Sequence, residues 1–87
     1  MKFSVYMLIS INNYKVYTYV GYTSNLKKRI LLHNNSKGAK YTRGRFWKII
    51  YKKNYKSKSL AMKYEFKLKK NYKKRNEIKK KYLQNFL

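Results

Sequence analysis

The 87 residues contain no cysteine, no proline, one histidine, two acidic residues and three glycines. The lack of cysteine excludes disulfides and thiolate metal sites, and His33 alone cannot build a His-rich zinc site. Any metal is therefore expected to be a hard cation held by oxygen. No run approaches the roughly 18 apolar residues of a membrane helix. The stretch from Met1 to Ser10 is too short, and lacks the small-residue cleavage site, to read as a signal peptide. The expectation is an intracellular protein, of the cytoplasm or of the nucleoid or nucleus, with no membrane partner.

What the chain has in excess is positive charge. Lys and Arg total 24 against Glu65 and Glu77, a formal net charge of +22. Only Lys2 and Lys15 fall within residues 1–26, so the other 22 build the later two thirds. Low hydropathy with high charge is a disorder signature, yet 44% apolar residues and 18% aromatics supply enough surface for one core. The length suits a single domain over 1–87 with no separate binding module. Such a charge points to a polyanionic partner. Heavy use of Lys, Asn, Tyr and Ile also fits an AT-rich coding bias, which inflates lysine without functional cause.

Phe3 to Ser10 is continuously apolar or small, the pattern of a central strand covered on both faces. Asn12-Asn13 is a turn signal, and Lys15 to Gly21 reads as the return strand of a hairpin, ended by Gly21. Thr23 or Ser24 is expected to cap a helix over Asn25 to His33, followed by a polar loop from Asn34 to Gly44. Phe46 to Tyr51 predicts a third strand. Ser57 or Ser59 then caps a helix with Ala61, Tyr64 and Leu68 on one side. The apolar pattern lapses near Lys70 to Arg75, and a last helix from about Asn76 to Phe86 spaces Ile78, Tyr82 and Phe86 by four. The fold expected is α/β in the broad sense (α+β). It has a mostly antiparallel three-stranded sheet flanked by helices, in the order β-β-α-β-α-α.

Ser4-Val5-Tyr6 and Tyr19-Val20-Gly21, with Arg29 ten residues beyond Tyr19, resemble the paired tripeptides and arginine of the GIY-YIG nucleases. Gly38 to Arg43, Gly-Ala-Lys-Tyr-Thr-Arg, looks like a loop of the small single-domain members, and Ala61 with Glu65 looks like their metal-binding helix. The resemblance covers nearly the whole chain. It departs from the pattern at Ser4, which replaces a glycine, and downstream of Glu65, where neither Asn71 nor Asn76 matches the asparagine of larger members.

The resemblance implies an endonuclease of low sequence specificity that hydrolyses DNA phosphodiester bonds with Mg2+ or Mn2+. Structure-selective work in repair or recombination is one implied role. Branched or flapped DNA is then a possible partner, with RNA not excluded. Tyr6 and Tyr19 would act as base or relay, Arg29 would contact the phosphate, and His33 would position or polarise the attacking group. Glu65 would be the sole protein ligand of the metal, which fits the reluctance of Mg2+ to dehydrate.

Each residue also has a plainer reading. Tyr6 and Tyr19 are two of 11 tyrosines able to pack a sheet, and Arg29 is one of 24 cations. His33 fits a half-buried histidine bonded to backbone. At about 100° per residue, Glu65 falls roughly 40° to 60° from the buried stripe of its helix, on the sheet-facing edge. There it either binds metal or pairs with Lys63, Lys69 or Arg29. Glu77 reads as a helix-start acid favoured by the dipole. Lysines of the 37–58 and 67–81 regions, interleaved with tyrosines, read as a phosphate-tracking surface, with Lys40, Arg43 and Arg45 as the named contacts. Two other classes stay open. One is a non-catalytic nucleic-acid binder of the same fold; the other is a membrane-surface or acidic-partner protein using the basic terminal helix.

Overall fold

The computed structural model describes residues 2–85. Its elements run β1 (Phe3–Asn12), β2 (Lys15–Thr23), α1 (Leu26–Asn34), a 3-10 turn (Lys40–Thr42), β3 (Lys48–Tyr55), α2 (Lys58–Lys70) and α3 (Tyr72–Gln84). The three strands form an antiparallel sheet in the order β2-β1-β3, as the apolar run of β1 requires of a central strand. Val5 to Ser10 is buried without a break.

Side chains alternate across β1 and seed two separate cores. Val5 and Met7 join Val20, Ala61 and Leu68 beneath α2 and α3. Tyr6 and Leu8 join Trp47 on the other face, where Leu26 and Ile30 of α1 and Tyr17 and Tyr19 of β2 pack against them. Along β3, Tyr51 pairs with Met7 and Ile49 with Leu8, leaving Ile50 as the extra residue of a bulge. Ile50 and Tyr51 both reach the first core as a result.

Several boundaries differ from the sequence reading, each for a local reason. The hairpin turn is Asn13-Tyr14, one residue later than expected, with φ of 51° and 65°. Two successive positive φ values match the right-handed twist of the flanking strands. β2 continues through Gly21 to Thr23. Asn25, not Thr23 or Ser24, caps α1 by accepting from the Lys28 amide, while Thr23 Oγ1 accepts from the Asn25 amide. The expected loop contains the 3-10 turn at Lys40–Thr42.

The third strand starts at Lys48 rather than Phe46. Ser57 caps α2. Tyr64 stays exposed, although Ala61 and Leu68 are buried as expected. The lapse in apolar spacing near Lys70 breaks the helix only at Asn71, whose side chain accepts from the Lys74 amide and starts α3 at Tyr72. Glu77 therefore lies inside α3 and is not a helix-start acid. The expected Phe86 member of the terminal stripe lies outside the described residues.

Candidate active site on the β1–β2 hairpin

Tyr6 points to the α1 side of the sheet, and in the strand register it faces Gly21 of β2. A Cβ at Gly21 would lie 2.5 Å from Tyr6 Oη and 2.7 Å from Cζ, so the glycine makes room for the phenol to cross β2. Tyr19 lies two residues away on the same face, its ring centroid 6.4 Å from that of Tyr6. His33 completes the group from the last turn of α1, 5.9 Å from the Tyr6 ring and 5.1 Å from the Tyr19 ring.

The hydrogen bonds around His33 are continuous. Tyr6 Oη lies 2.8 Å from His33 Nε2, and His33 Nδ1 lies 2.8 Å from Thr42 Oγ1. Thr42 Oγ1 donates to the Ala39 carbonyl at 2.8 Å. Both His33 and Thr42 are 0% exposed. The backbone at Gly38 lies directly against the imidazole, so that any Cβ there would collide with His33 Nδ1. Thr42 is held in turn by the Trp47 indole, whose Nε1 donates to its carbonyl at 2.9 Å. The loop is thus built around the histidine.

Arg29, one turn before His33, lies beside both phenols and acts on Tyr6 as a charge and as a donor. Its partners raise its own pKa, first through the interaction with Tyr6. Burial pushes the Tyr6 phenol up to about 12, against a smaller lowering by Arg29. Burial also lowers the His33 pKa from its ordinary value, and the Arg29 charge adds to that. Near neutral pH the site therefore holds a neutral phenol beside a neutral imidazole.

Glu65 lies on the edge of α2 that its helical angle implied, with a side chain 16% exposed. Its charge reaches Tyr6, where it raises the phenol pKa. It also pairs with Lys69 Nζ at 3.4 Å, one of the partners anticipated for it. The Lys69 side chain is 51% exposed and free to swing away. Among the described residues no cluster of three or more His, Cys, Asp or Glu forms. One mostly buried carboxylate with a displaceable partner suits a hard cation that keeps its waters, and offers nothing to zinc.

The structure thus brings Tyr6, Tyr19, Arg29 and His33 into one patch and keeps Glu65 within electrostatic reach of it. The named cationic contacts divide. Lys40 and Arg43 are exposed beside the loop. Arg45 is committed internally: Nη1 donates to the Tyr41 carbonyl at 2.7 Å, and the guanidinium covers the Tyr17 ring at 4.0 Å. Asn71 is spent on its helix cap. Ser4 donates to Asn54 Oδ1 at 2.6 Å, tying β1 to β3. Sequence reasoning missed Thr42 and Gly38 as parts of the site. Both lay inside the quoted loop, but nothing in their spacing marked them as neighbours of His33.

Residues 2–82 match the family model described as the GIY-YIG catalytic domain. The chain belongs to that family, a family of nucleases that act on DNA and generally use a divalent metal. Among curated proteins it is similar to a UPF0213 protein of Oceanobacillus iheyensis, 48% identical over 52 residues, 59% of this chain and 60% of that one. A UPF0213 protein of Streptococcus pneumoniae is 48% identical over 59% of this chain and 52% of its own length. The chain thus spans 60% and 52% of these two relatives. The solution NMR structure of a UPF0213 protein from Bacillus halodurans is 33% identical, covering 88% of this chain and 80% of that one, with a TM-score of 0.47.

Proposed function

We propose that the chain is a metal-dependent endonuclease that hydrolyses DNA phosphodiester bonds inside the cell, with little sequence specificity. The observation that carries this reading is the hydrogen-bonded pair Tyr6–His33 beside Arg29, with the Glu65 charge acting on the same phenol. Arg29 supplies a planar fork for two phosphate oxygens and steadies charge that develops on them. As its donors pass from phenol to phosphate, the Tyr6 oxygen is freed to accept a proton from the attacking water. The Tyr6 proton moves to His33 Nε2 in the same step, leaving neutral phenol and imidazolium. A phenol with a pKa of about 12 is a poor free base near neutral pH, so the transfer to histidine is what lets it serve as a relay. Tyr19 borders the same phosphate position.

Glu65 would hold one Mg2+ or Mn2+ completed by water, and that ion would stabilise charge on the leaving oxygen. Exposed Lys40 and Arg43 would track the phosphate backbone without reading bases. Branched or flapped DNA is the proposed substrate, with repair or recombination as its setting.

The test is a nicking assay on supercoiled plasmid and on flapped and branched duplexes, with Mg2+ or Mn2+, comparing wild type and Glu65→Gln. Glu65→Gln is expected to lose at least about a hundredfold in rate, roughly 3 kcal/mol in the barrier, while its thermal midpoint changes little. Equal cleavage by both proteins rejects the assignment. DNA binding without cleavage by the wild type returns the chain to the class of non-catalytic binders.

A further inference from the structure

We infer that Thr42 is a positioning residue that fixes His33 in the Nδ1–H tautomer, so that Nε2 presents a bare lone pair to the Tyr6 hydroxyl. For its catalytic consequence this rests on the nuclease reading above; for the tautomer it rests on geometry alone. Thr42 has one hydroxyl proton, and it is donated to the Ala39 carbonyl, which can only accept, with Oγ1 2.8 Å from the carbonyl oxygen. Thr42 Oγ1 therefore meets His33 Nδ1 as an acceptor, and the ring proton must sit on Nδ1. The other end of the chain requires the same answer. The cation acting on the buried Tyr6 hydroxyl is Arg29, a group with donors only, so the phenol proton has His33 Nε2 as its acceptor.

The opposite tautomer would put a proton on Nε2, facing Tyr6 Oη at 2.8 Å. The Thr42 hydroxyl would then have to turn from Ala39 to Nδ1. The Tyr6 proton would have to turn toward the guanidinium. Each change gives up a good hydrogen bond inside a pocket where His33 and Thr42 are fully buried. The loop is fitted to prevent this: the Gly38 backbone lies against the ring, the 3-10 turn at Lys40–Thr42 aims the hydroxyl, and Trp47 Nε1 pins the Thr42 carbonyl at 2.9 Å. With Nδ1–H held by an acceptor, the ring takes up the Tyr6 proton at Nε2 and the resulting imidazolium keeps both of its N–H groups facing oxygen.

Protein labelled with 15N at histidine tests this directly by long-range 1H–15N correlation NMR. Wild type and Thr42→Ser, which keeps the hydroxyl, are expected to show a protonated Nδ1 and an unprotonated Nε2. Thr42→Val, similar in shape but without the hydroxyl, is expected to show a mixture or the reverse. In the nicking assay Thr42→Val is expected to lower kcat by about tenfold to a hundredfold with KM little changed, and Thr42→Ser to restore most of it. A protonated Nε2 in the wild type overturns the inference even if no variant folds, as does a Thr42→Val protein with the native tautomer and full kcat. The Nδ1–H signature in a wild type that cuts no DNA supports the positioning role and overturns the nuclease reading alone.

Discussion

At the scale of single residues, the site depends on small atoms as much as on reactive ones. Gly21 leaves open the volume that the Tyr6 ring occupies, and the backbone on the facing strand cannot retreat without breaking the β1–β2 pairing. Gly21→Ala is therefore expected to destabilise the fold by about 1–3 kcal/mol in a urea titration and to reduce cleavage further by displacing the phenol. An alanine variant as stable and active as the wild type would show that the crossing is not obligatory. The grouping of Tyr6, Tyr19, Arg29 and His33 was legible because regular elements impose it: Tyr6 and Tyr19 share a hairpin face, and Arg29 and His33 are a helical turn apart. Thr42 was not legible, since its contact with His33 passes through an irregular loop and a 3-10 turn that no periodic pattern marked. The anchoring of Arg45 was hidden for a similar reason, because Tyr17, the ring beneath it, belongs to β2. The Glu65–Lys69 pair was one of three open choices, and spacing alone cannot select among cations equally within reach.

At the scale of elements, order and strand pairing were readable from periodicity, while boundaries yielded to individual hydrogen bonds. Aromatic content placed the third strand at Phe46, yet the Trp47 amide donates to Asn34 Oδ1 at 2.6 Å and its carbonyl accepts from Asn34 Nδ2 at 3.2 Å. A residue with both backbone groups held by one side chain has none left for a β ladder, so the strand starts at Lys48. The same clasp joins the last residue of α1 to the chain entering β3, and it holds Trp47 under the Thr42 carbonyl. Asn34→Ala strands the Trp47 amide and is expected to cost about 1–3 kcal/mol in chemical denaturation. No loss would mean that solvent or a shifted loop satisfies Trp47 equally well. The start of α3 was missed for another reason. Lys and Arg are good helix formers without any apolar stripe, so a lapse in hydrophobic spacing did not mean a lapse in helix.

For the molecule as a whole, a net charge of +22 on 87 residues makes self-repulsion a large term working against the compact state. Added salt screens it, with a Debye length falling from about 30 Å at 0.01 M to about 10 Å at 0.1 M. The thermal midpoint of the isolated protein is therefore expected to rise by several degrees over that range. A scan in NaCl checks this, and a flat or falling midpoint would show that local ion pairing already offsets the charge. The sheet gives that surplus of lysine a further use. Because the strand order is β2-β1-β3, one of the two edges of the sheet is β3, whose sequence carries Lys48, Lys52 and Lys53. Like charges along an open strand make the approach of another copy costly, so the border guards itself against the edge-to-edge stacking that leads to fibrils.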